Sequence, residues 1–257
     1  ADAADRRWLT AFGLAPRKLG KDALQPSAAE CAAATAARPD WDPRRWTVAD
    51  AGRSALLLAR PWPDAATAVA ELDRLFLTSD LGEAVACYQA LPLLPHPAAW
   101  RQRAAEGLRS NMTVVFEAVA QRNPYPAEEL DEGAWNQLVL KALFVGSRLD
   151  PIVGLDRRCN PALARMLVDY ARERRAASRP ISPELWRCVG PVADEEGLDL
   201  LAQELRAGNR LAAAAAALAL AAGPGRDLLE RLDPDRAAAV AAGRLDWAAI
   251  AAALDQP

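Results

Sequence analysis

The sequence predicts an all-α protein, an irregular helical array or bundle with HEAT-like helix pairs towards the C-terminus. Three observations carry this expectation. The composition is 52% hydrophobic and dominated by alanine, yet poor in the isoleucine, threonine, tyrosine and phenylalanine that favour strands. Helix-capping residues recur along the chain. No segment shows the period-2 alternation of a half-buried strand, and the connections are short and punctuated by proline.

Taken in order, the apolar periodicity predicts a first helix over residues 4–13. Ser27 and Glu30 have the spacing of a capping box, in which each side chain accepts from the other residue's backbone N–H, and open a helix over 27–38. Thr47 and Asp50 approximate a capping box for 47–60, while Asp64 and Asp80 stand before apolar-periodic runs over 64–78 and 80–91. Residues 97–122 read as one long helix, entered at His96-Pro97 and followed, after Asn123-Pro124-Tyr125-Pro126, by another over 132–146. Asn160-Pro161, Ser182-Pro183 and Asp233-Pro234 each place a capping residue before proline at the first helical position, where the missing N–H costs nothing. They open helices over 160–177, 182–189 and 234–242. Helices over 194–207, 209–222 and 246–255 complete the array, with breakers at Gly208-Asn209 and Gly223-Pro224-Gly225. Short helices alternating with breakers suggest stacked pairs, so the expected organisation is a core over 1–190 and an alanine-rich tail over 191–257, packed as one continuous domain.

A chain of 257 residues can bury a sizeable core without disulfides or metal. Its formal charge of -3 argues against a general polyanion binder, so nucleic acid is not an expected partner. Cys31, Cys87, Cys159 and Cys188 are scattered without a C-x-x-C pair, and the one histidine, His96, is far from all of them, which removes zinc-finger, zincin and thioredoxin-like readings. Neither metal nor cofactor is expected. Free thiols point to a reducing compartment, with the cytoplasm fitting best. No signal peptide is legible, and no apolar run approaches the roughly 20 residues that span a bilayer. Asp156–Arg187 holds eight arginines against four acids, which reads as a solvated helix face. The eight tryptophans are spread along the chain, as packing anchors would be. No G-x-S-x-G, phosphate loop or D-D-x-x-D cluster is present, and Asp194-Glu195-Glu196 reads as a helix N-terminus.

Polar residues stand out most between Arg109 and Gly146, because they interrupt segments otherwise fit for a core. From Trp135 to Gly146 large apolar side chains occupy almost every face, so this helix is expected to be enclosed, and Lys141 and Gln137 to need partners. An unpaired buried ammonium loses its proton or destabilises the fold, and an unpaired buried amide costs roughly 1–3 kcal/mol. Glu117, on the preceding helix, is the nearest partner for Lys141. A Glu117–Lys141 pair flanked by Asn111, Asn136 and Gln137, and rimmed by His96, Asn123 and Tyr125, would make a polar interhelical pocket. In it Lys141, Glu117 and His96 are the candidate proton-handling groups, and Asn111, Asn136, Gln137, Asn123 and Tyr125 the candidate ligand-binding groups. The competing reading puts Lys141 over Phe144 with its charge in water, and Glu117 on a solvated stripe with Arg103, Glu106, Ser110, Thr113 and Gln121.

With those residues in view, the chain resembles the EboA family. The likeness rests on Leu14-Ala15-Pro16-Arg17-Lys18-Leu19-Gly20, Leu93-Leu94-Pro95-His96-Pro97, Asn111-Met112-Thr113, Phe116-Glu117-Ala118-Val119-Ala120, Asn123-Pro124-Tyr125-Pro126, Trp135-Asn136-Gln137, Leu140-Lys141-Ala142-Leu143-Phe144-Val145-Gly146 and Met166-Leu167-Val168-Asp169-Tyr170-Ala171. It covers residues 5–190; the tail matches only in character. The resemblance implies a gene cluster shared with a UbiA-type prenyltransferase, a sugar-phosphate cyclase, a TIM-barrel isomerase-like protein and hydrolases, which makes or exports a small metabolite such as a prenylated cyclitol. It carries over no catalytic residue, so the pocket rests on the burial argument alone.

Two functions are compatible with this reading. The first is an enzyme or carrier acting on a polyol-like or prenylated pathway intermediate, its amides binding hydroxyls and its leucines an apolar chain. The second is a non-catalytic HEAT-like adaptor that docks other enzymes of the same cluster.

Overall fold

The computed structural model describes residues 3–255, and its contacts divide the chain into two compact units, Ala1–Trp135 and Asn136–Pro257. Every regular element among the described residues is helical; the one β-type pairing there is an isolated bridge between Ala23 and Thr47.

In the first unit, α1 (Ala3–Leu19) runs beyond the predicted end at residue 13 and continues through Pro16. Proline has no N–H to offer the carbonyl four residues back, here that of Phe12. Arg53, 3% exposed, supplies the replacement: its Nε donates to Phe12 O at 3.2 Å, and its guanidinium lies 5.5 Å from the Phe12 ring. The predicted caps open the next helices. α2 (Ala28–Ala37), α3 (Val48–Leu58) and α5 (Leu81–Ala90) begin at the complete capping boxes Ser27/Glu30, Thr47/Asp50 and Asp80/Glu83, and α4 (Ala65–Thr78) begins at Asp64, which accepts from Thr67 N.

The long helix expected over 97–122 is broken. A 3-10 turn (Pro97–Trp100) leads into α6 (Arg101–Arg109), and α7 (Thr113–Ala120) starts only after Ser110, Asn111 and Met112. The reason is local. Ser110 Oγ accepts from Met112 N at 3.1 Å, a side-chain turn that competes with the helical ladder. The break lets α7 fold back on α6 beside Gly107, where a methyl group would collide with Tyr88 and Val119. α1 and α5 both pack on α3, and α5 also packs on α7. Leu57, Ala86, Cys87, Phe116, Val119 and Trp100 are buried in this core.

A short α8 (Tyr125–Glu129) precedes α9 (Glu132–Val145), which passes from the first unit into the second. α9 departs from the expected full enclosure. Trp135, Leu138, Val139 and Ala142 are buried, but Gln137 is exposed and Phe144 is 78% exposed. Neighbours cover one face only, and Gln137 therefore meets solvent rather than needing a protein partner. Lys141 is half-buried, and burial lowers its ammonium pKa.

The second unit is organised around α13 (Arg210–Ala221), whose alanines and leucines from Ala215 to Leu220 are all buried. Around it stand α11 (Trp186–Val189), α12 (Glu195–Arg206), α14 (Arg226–Leu232), α15 (Pro234–Ala241) and α16 (Trp247–Leu254), with α10 (Pro161–Ala176) against α11 and α12. Asn160, Asp194 and Asp233 cap α10, α12 and α15 as expected, whereas Ser182 makes no side-chain cap and a 3-10 turn follows it. Gly190 and Gly223 allow backbone to meet backbone: a methyl on Gly190 would overlap the Ala219 carbonyl, and one on Gly223 the Gly190 carbonyl. Glu184, 3% exposed, accepts from Leu149 N and Asp150 N and pairs with Arg148 Nε, each at 3.0 Å, so one buried carboxylate organises the chain after α9.

Candidate functional site

A polar cleft of about 180 Å³ opens in the first unit. α7 contributes Val114, Glu117, Ala118 and Gln121 from one helical face, α5 contributes Val85 and Gln89 one turn apart, and the segment before α3 adds Asp42, Arg45 and Trp46. Arg122 and Asn123 close it where α7 ends.

Each end of the cleft has a local cause. Arg122 follows the C-cap of α7 with φ 52, the left-handed position where glycine is usual. A residue with a Cβ there costs about 1–2 kcal/mol, which its guanidinium offsets by donating from Nη1 to Asp42 Oδ2 at 2.8 Å. Burial pushes the Asp42 pKa up, but hydrogen bonds from the Arg44 side chain and backbone and from Arg122 outweigh it and hold the carboxyl at about 2. Asn123, 4% exposed, is a clamp. Its Nδ2 donates to Tyr88 O at 3.2 Å and Ala118 O at 3.1 Å, and its Oδ1 accepts from Tyr125 N at 3.0 Å, locking the end of α7 to α5.

Two buried atoms of the lining have no hydrogen-bond partner among the described residues: the acceptor Gln89 Oε1 and the donor Arg122 Nε. Close by in sequence, the indole N–H of Trp41, whose ring meets Trp46 edge-on at 5.3 Å, is also unpartnered. A buried polar atom without a partner costs about 1–3 kcal/mol, so each of these side chains gains by turning that atom towards the cleft, where water or a ligand reaches it.

The structure distributes the sequence-predicted residues as follows. Glu117 and Asn123 share this cleft. Tyr125 is buried and donates its O–H to Pro97 O at 2.6 Å; burial raises its phenol pKa. His96 occupies the N-cap position of the Pro97–Trp100 turn in a left-handed conformation, φ 58, without a side-chain cap. Its Nε2 lies 3.1 Å from Trp62 O, which places the proton on that nitrogen because a carbonyl only accepts. Asn111 is exposed in the α6–α7 break. In the second unit, Asn136 is 4% exposed and forms a mutual amide pair with Asn160, the cap of α10, at 2.9 and 3.3 Å, while Gln137 and Lys141 follow on α9. Glu117 belongs to the first unit and Lys141 to the second. Gln89, Arg122, Asp42, Arg45 and Trp46 escaped sequence reasoning. Gln89 was findable, as the one amide in the otherwise apolar run Val85-Ala86-Cys87-Tyr88-Gln89-Ala90.

A family model described as "Metabolite traffic protein EboA" matches residues 1–190. The chain belongs to the EboA family. No curated protein and no solved structure matches it. The EboA match contains the whole cleft, the Asn136–Asn160 pair and Lys141, and it ends after α11, before α12 and α13 begin. The family description associates the chain with metabolite handling. No helix among the described residues is long and apolar enough to cross a membrane.

Proposed function

We propose that the chain binds a small polyhydroxylated metabolite in the polar cleft of the first unit, as a cytoplasmic component of a metabolite-handling pathway. The observation that carries this is the unpartnered pair Gln89 Oε1 and Arg122 Nε on one cleft wall system. Turned towards the cleft, the first accepts from a ligand hydroxyl and the second donates to one, a match that an apolar chain does not offer. Glu117 offers a further acceptor, and Arg45 and Gln121 further donors. At about 180 Å³ the cleft has the volume of about six waters, which suits the polar ring of a cyclitol and leaves any prenyl tail outside. Asn136, Gln137 and Lys141 on α9 form a second, separately testable part of the proposal, with Asn111, His96 and Tyr125 supporting the α6–α8 region. The family's description as a traffic protein supports binding over turnover.

The test is metabolite output in a deletion strain complemented with variants whose folding is checked by thermal melt. Gln89→Leu and Glu117→Gln are expected to abolish output while melting like the wild type or higher; wild-type output from both refutes the cleft. Lys141→Met and Asn136→Leu test α9 in the same way. If all four are silent and surface changes on α12–α16 disrupt output, the adaptor reading replaces this one.

A further inference from the structure

We propose that Cys159 and Cys188 form an oxidisable dithiol, a covalent modification site at which a hydroperoxide converts the pair to an intramolecular disulfide. The residues are remote in sequence and the second unit brings them together. Cys159 stands directly before Asn160, the cap of α10, and Cys188 lies on α11. Cys159 Sγ donates to Leu155 O at 3.3 Å and lies 3.9 Å from the carbonyl of Arg187, the residue before Cys188. Cys159 Sγ thus touches the peptide that leads into Cys188, and the two thiols are near enough to shift each other's pKa, Cys159 downward and Cys188 upward. A thiol set against its partner's own peptide bonds to it after a local approach, and Cys159 sits in a connecting segment rather than inside a helix.

The two sulfurs are unlike, and the difference assigns their roles. Cys188 is fully buried, whereas Cys159 is partly exposed and reachable by a small oxidant. The neighbouring Cys188 thiol lowers the Cys159 pKa against burial and the Asp156 carboxylate, with the nearby Arg187 guanidinium adding to the lowering. The neighbouring Cys159, together with burial, pushes the Cys188 thiol well up. Arg187 is itself fixed by Asp156, at 2.7 and 2.8 Å, and by Asp150 at 3.1 Å.

Cys159 is therefore the attacking thiolate and Cys188 the resolving thiol. The Cys159 sulfur attacks one oxygen of the hydroperoxide, the O–O bond breaks, and the leaving oxygen takes a proton to depart as water or an alcohol. The Cys188 sulfur then attacks the resulting sulfenic acid; the S–S bond forms, the S–O bond breaks, and the hydroxyl leaves as water with the Cys188 proton. Two thiols are oxidised and one peroxide is reduced. The remaining cysteines are internal controls. Cys87 is fully buried, with its thiol pushed up to about 12 chiefly by burial, and Cys31 makes a long contact to Pro26 O with the Arg44 guanidinium nearby.

The experiment treats the purified full chain with hydrogen peroxide, alkylates it under denaturing conditions and maps its peptides by mass spectrometry. The expected result is a cross-linked Cys159–Cys188 peptide, reversed by dithiothreitol, at peroxide levels that leave Cys31 and Cys87 alkylatable. Cys188→Ser should then stop at a sulfenic acid on Cys159 that dimedone traps. Wild-type protein in which Cys159 proceeds to sulfinic acid without a cross-link, or in which both thiols still alkylate when Cys31 is oxidised, overturns the proposal. The wild-type map needs no variant to fold.

Discussion

Replacing Arg53 by methionine tests how α1 tolerates Pro16. Methionine keeps most of the apolar stem but removes the donor to Phe12 O, and the carbonyl is then left with neither Arg53 nor the N–H that Pro16 lacks. That orphan acceptor costs about 1–3 kcal/mol. Loss of the guanidinium 5.5 Å from the Phe12 ring adds roughly 0.5–2 kcal/mol. The contact with Glu83 Oε1, 3.9 Å away on a partly exposed carboxylate, adds about 0–1 kcal/mol. Arg53→Met is therefore expected to destabilise the protein by about 1.5–6 kcal/mol. The discriminating variant is Pro16→Ala, which restores an amide to the same carbonyl. In that background the orphan disappears, so the penalty for Arg53→Met should shrink by about 1–3 kcal/mol. Urea unfolding of the wild type, both single variants and the double variant, with slopes compared before free energies are, measures this coupling. Equal Arg53→Met penalties in the two backgrounds, within about 0.5 kcal/mol, would refute the claim that Arg53 replaces the missing helical bond.

Gln89→Leu should leave stability unchanged or raise it by about 1–3 kcal/mol, because it deletes an unpartnered acceptor; a comparable loss in the melt would show that Oε1 has a structural partner. Asp42 has a folded pKa of about 2 against an ordinary 3.8, so its contribution is present above about pH 4 and lost as pH falls through 2. Its carboxyl resonance should titrate near 2, and a midpoint at 3.8 would contradict the Arg44 and Arg122 bonds. Gly190→Ala should destabilise by at least about 1–3 kcal/mol in the same urea assay, since the added methyl meets backbone that cannot rotate away. A cost near zero would mean that α13 is free to move.

The all-helical fold was legible because its signals are local. Ser27, Thr47, Asp64, Asp80, Asn160, Asp194 and Asp233 each announce a helix within a few residues, and each makes its cap. Where tertiary partners decide, the sequence was silent. Nothing near Pro16 says that Arg53, far along the chain, will serve Phe12 O, and apolar periodicity runs unbroken across a turn closed by the Ser110 hydroxyl. The site was half legible for the same reason. Searching for polar residues in apolar runs pointed to Glu117 and Asn123, which line the cleft, and to Asn136, which pairs with Asn160 outside it; the same search extended to α5 finds Gln89. Arg122 and Asp42 matter through a turn conformation and an ion pair that no spacing encodes.

The alanine helix α13 bears on how such a protein can be recognised at all. Alanine gives up no side-chain freedom when buried and fits wherever backbones crowd, so a central helix built from it works with almost any order of small residues. The constraint it imposes is on volume rather than identity, and volume leaves little trace in a one-letter code. A region can thus be as tightly packed as the rest of the molecule and yet carry almost no signature of ancestry. The family likeness of this chain ends at residue 190, and α13 lies beyond it.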